Sequence, residues 1–132
     1  MNGFYIKLAQ AHIDLRYVLK SLGYAGGLKS CEKQLGISRG DLDGVDGFFA
    51  VLLWNFWRET GNTRALETLL AYNIEDVINL EKLMIMAFNQ KIRDIPLPGL
   101  NLLPAPVSPA SPFLPDPDII ARIKNTSRFQ RF

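Results

Sequence analysis

Residues 69–80 read LLAYNIEDVINL, with a tyrosine and an aspartate four positions apart inside an apolar run. At about 100° per residue Tyr72 and Asp76 share one helical face, so the spacing predicts a helix. It does not say whether the pair packs or does chemistry, because both uses need the same face. Working outward, Leu66, Leu69, Leu70, Val77, Leu80, Leu83, Met84, Ala87 and Phe88 extend a broad apolar stripe from Thr63 to about Gln90. Asn73 marks a candidate break that would divide this stretch into two helices.

Upstream, Leu15, Val18, Leu19 and Leu22 follow the i, i+3, i+4, i+7 pattern, with Asp14 placed as N-cap and Gly23 as terminator. A second short helix is expected over LKSCEKQLG, where Leu28, Cys31 and Leu35 share a face and Gly36 ends it. SRGDLDGVDG alternates turn formers and reads as a loop, with Asp46 capping a helix over GFFAVLLWNFWRET that stops at Gly61 and Asn62. Downstream, Pro96, Pro98, Pro104, Pro106, Pro109, Pro112, Pro115 and Pro117 exclude regular helix and give an extended linker with apolar beads. DIIARIKNTSRFQRF allows one short helix and ends in a basic, aromatic tail with Arg122, Lys124, Arg128 and Arg131. The expected organisation is therefore a helical body over 1–92, a Pro-rich linker over 93–117 and a basic tail over 118–132.

Fifteen Lys plus Arg against thirteen Asp plus Glu leave a net charge of +2, too little to define a nucleic-acid or membrane binder by charge alone. The single Cys31 permits no internal disulfide, and the first residues lack the basic and apolar regions of a signal peptide. A cytoplasmic location follows as the expectation. FFAVLLWNFW is about half the ~20 residues of a membrane span and reads as a buried helix.

The runs AHIDLRYVLKSLG, GGLKSCEKQLGISR, DGFFAVLLWNFW and LLAYNIEDVINLEKL resemble, in order and spacing, the second half of the YprB-type ribonuclease H-like domain, over roughly residues 8 to 90. That family is similar to the DEDD superfamily of 3′ to 5′ exonucleases. The resemblance implies the helical C-terminal part of a ribonuclease H-like α/β fold, mostly α here because most sheet strands are missing. It implies metal-dependent phosphodiester hydrolysis on DNA or RNA with Mg²⁺ or Mn²⁺ between carboxylates, since two ions stabilise both the attacking and the leaving oxygen. By the same resemblance Asp76 is a metal ligand and Tyr72 orients the attacking water.

The family's earlier motifs carry three further carboxylates ahead of the segment matching HIDLR, and MNGFYIKLAQA contains no acidic residue. One carboxylate holds Mg²⁺ weakly, because the ion keeps most of its waters. The resemblance thus implies a truncated or split nuclease portion, inactive alone and binding no metal tightly, with an N-terminal fragment or self-association completing it. The competing reading is a noncatalytic helical interaction or oligomerisation module.

Other features carry weaker chemistry. Lys29 after two glycines, with Lys33 and Arg39, is a weak nucleic-acid hypothesis, and the basic tail is another. Trp54, Trp57, Phe48, Phe49 and Phe56 are able to stack bases, but so continuous an apolar run is read as core. His12 and Asp14 are read as structural, DLDGVDG as a turn rather than a calcium loop, Cys31 as an inert buried thiol, and the Pro-rich segment as a tether rather than a polyproline ligand.

Overall fold

The computed structural model describes residues 12–95 and 97–129, and the expectations for residues 1–11, Pro96 and Arg131 fall outside that range. The order is α1 (Leu15–Ser21), α2 (Leu28–Gln34), a 3-10 turn (Gly40–Leu42), α3 (Gly47–Thr60), α4 (Thr63–Asp94) and α5 (Pro117–Phe129), with no strand among the described residues. The chain is mostly helical and sheet-poor, as the sequence leads one to expect.

The helices start and stop where the local chemistry dictates. Asp14 accepts from the Arg16 amide at 3.0 Å and Asp46 from the Phe49 amide at 2.8 Å, each satisfying a first-turn donor that the helix itself cannot. Gly61 closes α3 in the left-handed region at φ 67°, donating its N–H to Trp57 at 2.7 Å. Asn62 was expected to help end α3; its side chain instead accepts from the Arg64 amide and caps α4.

Helix α4 corrects one expectation. It runs unbroken through Asn73, whose side chain is exposed. A single asparagine disfavours helix by only about 0.7 kcal/mol. The buried Ala71 and Tyr72 immediately before it hold that turn against a hydrophobic core.

Those cores sit at opposite ends of α4. In the first, Phe49 and Leu53 of α3 meet Ala65, Ala71 and Tyr72 of α4, with Ile119, Ile120 and Ile123 of α5 and with Leu42 and Val45. In the second, Leu19 of α1 and Cys31 of α2 meet Leu83 and Ala87. The apolar run of α3 is only partly core. Phe49 is buried, but Phe48 and Trp54 are 59% and 43% exposed, because a run that is apolar on all sides has one face toward α4 and must leave another in water.

The Pro-rich stretch is extended and tied at both ends. The Asn89 side-chain amide donates to the Leu103 carbonyl at 2.8 Å and accepts from the Leu103 amide at 2.7 Å, as a strand neighbour would. At the other end the Asp116 amide donates to Thr68 Oγ1 at 2.9 Å, and Arg64 pairs with Asp116. Along α4 the two ties lie about 31 Å apart, within the roughly 40 Å that thirteen polyproline-like residues reach. The segment thus returns the chain to the start of α4, where Asp116 caps α5 through the Asp118 and Ile119 amides and Pro117 takes the first helical position.

Leu53 has no exposed surface, so Leu53→Ala should lower unfolding free energy by about 2–5 kcal/mol in urea titrations. Asn89→Ala removes both ties to Leu103; it should cost about 1 kcal/mol and accelerate limited proteolysis within 97–116.

Candidate functional site

Between the two cores α4 turns polar. Tyr72, Asp76 and Asn79 follow one another on the face that ends at Leu83, and α2 and the loop after it supply what meets them. On α2, Lys29, Glu32 and Lys33 stand three and four residues apart and so share a face.

Arg39 is the centre of this cluster. Its Nε and one terminal nitrogen donate to the two Glu32 carboxylate oxygens at 2.7 and 2.6 Å, a planar fork on a planar acceptor. The remaining nitrogen lies 2.5 Å from Asp76 Oδ1 but off the line of an aligned hydrogen bond, so this contact acts as a charge pair. The Arg39 and Glu32 side chains are 5% and 4% exposed, whereas that of Asp76 is 41% exposed. The paired Glu32 carboxylate holds the guanidinium above its ordinary pKa despite burial.

Lys29 completes the cluster from the other side, donating to the Tyr72 hydroxyl at 2.6 Å and to the Val45 carbonyl at 2.8 Å. Burial first and Arg39 second push its ammonium below the usual lysine range, while Asp76, Asp46 and Glu32 oppose the shift. Burial, and then the Asp76 charge, push the Tyr72 phenol up against the opposing pull of Arg39. A cleft of about 200 Å³ opens beside this network, lined by Lys29, Glu32, Lys33, Arg39 and Asp46 among others.

The residues singled out in the sequence for two separate reasons thus meet. Tyr72 and Asp76 stand beside Lys29 and Arg39, while Lys33 lies one turn further along α2 with its side chain exposed. Of the three basic residues, Arg39 and Lys29 spend their charge on internal partners rather than presenting it to solvent. Glu32 went unnoticed in the sequence, where an acidic residue on a short helix carries no signal that it is buried. Asn79 went unnoticed too; it is fully buried, and its amide has no hydrogen-bond partner among the described residues.

Whether this set suits a divalent ion is decided by its charges. Asp76 already faces a guanidinium, Tyr72 already accepts from an ammonium, and no three His, Cys, Asp or Glu side chains converge among the described residues. Two fixed cations at the oxygens a metal would need do not fit a divalent ion.

The RNase_H superfamily model matches residues 2–88. The chain belongs to the RNase_H superfamily. No curated protein and no solved structure matches it. The matched span contains α1 to α3, most of α4 and the whole cluster around Arg39. Membership makes this a nuclease-like domain and points to nucleic acid as its kind of partner. No helix among the described residues is long and apolar enough to cross a membrane.

The two parts of the cluster should respond differently to substitution. Glu32→Ala strands a buried guanidinium and should cost about 3–5 kcal/mol, whereas Asp76→Asn at the half-exposed end should cost about 1 kcal/mol or less, both read from chemical denaturation. The raised Tyr72 phenol has a further consequence for pH. Where the unfolded phenol ionises before the folded one, the unfolded state holds fewer protons, so this group's stabilisation falls as pH rises above about 10. In a phenolate-absorbance titration of the folded chain, a component ionising above the ordinary tyrosine range should disappear in Tyr72→Phe.

Proposed function

We propose that the chain is the helical C-terminal portion of a YprB-type, DEDD-like 3′ to 5′ exonuclease domain, truncated or split, and inactive by itself in phosphodiester hydrolysis. The observation that carries this reading is the superfamily match together with Tyr72 and Asp76 side by side on α4, in the order and spacing of the family's last motif. The reading requires that in the complete domain Asp76 exchange Arg39, and Tyr72 exchange Lys29, so that Asp76 would be one ligand of Mg²⁺ or Mn²⁺ and Tyr72 a water-orienting group. The remaining carboxylates would come from outside these residues, on a preceding segment or a separate N-terminal fragment. Residues 1–92 would form the partial domain, 93–117 the strap along α4 and 118–132 the tail whose helix packs back on the first core.

The test is Mn²⁺-dependent degradation of end-labelled single-stranded DNA and RNA by the chain alone and mixed with a separately expressed N-terminal half. The expected result is silence alone and degradation in the mixture, reduced at least about hundredfold by Asp76→Asn and about tenfold or more by Tyr72→Phe. Activity of the unaided chain abolished by Asp76→Asn would overturn the inactivity claim; activity indifferent to Asp76→Asn would overturn the site.

A second reading, a noncatalytic interaction or self-association module, is favoured by one surface. Leu80 and Met84 of α4 line one open hollow with Leu28 and Ile13, and all four are exposed; apolar side chains clustered in water favour association. If this reading holds, sedimentation should show a concentration-dependent oligomer that Leu80→Glu dissociates, with the nucleolytic mixture silent.

A further inference from the structure

Helix α3 packs on α4 by one side, and its other side carries Phe48, Val51 and Trp54, which are 59%, 53% and 43% exposed. Spaced three residues apart, they run as one stripe along the outer face. Single apolar residues on a surface need no explanation, but this stripe complements itself in shape and in charge. We propose that two copies of the chain pair through it, with their α3 helices antiparallel about a two-fold axis midway between Val51 and Trp54. The pairing goes beyond both functional readings, since it needs neither nuclease activity nor the surface around Leu80.

Three observations point to a second copy as the occupant. First, a knob and a hollow lie on the same helix. Trp54 and Trp57, with ring centroids 4.9 Å apart, line an open hollow of about 460 Å³ with Arg58 and Gly61. The axis sets Val51 opposite Trp54 of the second copy and Phe48 opposite Trp57 and the hollow, and symmetry makes each contact twice. Second, the ends of the stripe carry opposite charge. Asp41, Asp43 and Asp46 are exposed at the start of α3, and Arg58 is exposed near its end with no ion pair among the described residues. Asp46 gives one oxygen to the Phe49 amide, and Lys124 lies over Phe49 on the buried side of the helix. Asp46 and Arg58 stand about 18 Å apart along the helix, so the same axis brings each Arg58 to the acidic end of the other α3, with the helix dipoles opposed. Third, Arg58 is the one Lys or Arg in α3, whereas a nucleic-acid strand stacked on these tryptophans would also need its phosphates neutralised. One 14-residue helix from each copy makes a small interface, so the dimer belongs in the micromolar range.

The experiment is sedimentation equilibrium of the purified full chain, with helix content of every variant checked by circular dichroism. Wild type is expected to dimerise reversibly; Phe48→Glu and, separately, Val51→Lys should raise Kd at least about tenfold, and Arg58→Glu about threefold or more. All three positions face solvent, and if one variant loses helix the other two decide. Cross-linking reads the orientation, the native Cys31 being buried. Chains carrying Gly47→Cys mixed with chains carrying Arg58→Cys should oxidise to the 47–58 dimer rather than to 58–58, because the axis holds the two copies of position 58 about 16 Å apart along the helices, beyond disulfide reach. A wild type still monomeric at about 300 µM, a Kd that Phe48→Glu and Val51→Lys raise by less than about threefold, or a dominant 58–58 cross-link would each overturn the proposal. An oligomer lost in Leu80→Glu but kept in Phe48→Glu would overturn it in favour of the α4 surface, and a monomer whose tryptophan fluorescence is quenched by a single-stranded oligonucleotide would overturn it in favour of base stacking. A silent nuclease mixture leaves the dimer standing, and a monomeric chain leaves the nuclease reading standing.

Discussion

A helix of 32 residues, about 48 Å long, has to be covered along its length, and the rest of the chain is arranged to do so. A helix of that length gains most of its stability from the faces it buries rather than from propensity. Helix α3 covers its first half, while α1 and α2 cover its second. Neither half-core reaches the middle. The Arg39 fork spans that gap, tying α2 to α4 through Glu32 and Asp76.

The gap explains why the chemistry collects there. Buried polar groups persist where they satisfy one another, and a junction between two cores lacks the apolar side chains that would exclude them. Tyr72 belongs to the first core by its ring and to the network by its hydroxyl, so the same residue anchors packing and presents an oxygen. A tyrosine and aspartate one turn apart are common on helices. Here they are set apart by the two cations aimed at them, and membership of the RNase_H superfamily gives that arrangement its chemical context.

The C-terminal third does more than follow the domain. Its prolines prevent helix, so the chain stays extended; Asn89 and Thr68 fix it at two points along α4, and the isoleucines of α5 then complete the first core. Arg122 and Lys124 lie over Phe56 and Phe49 at 5.6 and 5.9 Å, so part of the tail's positive charge rests on the aromatic rings of α3.

The sequence alone determined the helices and most of their ends, because caps, glycines and the 3.6-residue period act over a few residues and are legible locally. Asp14, Asp46 and Gly61 behave as their positions dictate. The order of the motifs, which tertiary packing does not alter, likewise revealed the superfamily. Tertiary structure alone decided the rest. Whether Asn73 breaks α4 depends on packing around Ala71 and Tyr72, and whether Trp54 is core depends on which side of α3 meets α4. That Arg39, Lys29 and Glu32 serve Asp76 and Tyr72 depends on α2 and the loop after it packing against residues more than thirty positions away. Ion pairing at that separation leaves no periodic trace in a sequence, because the charge of a side chain is written there but its neighbour is not.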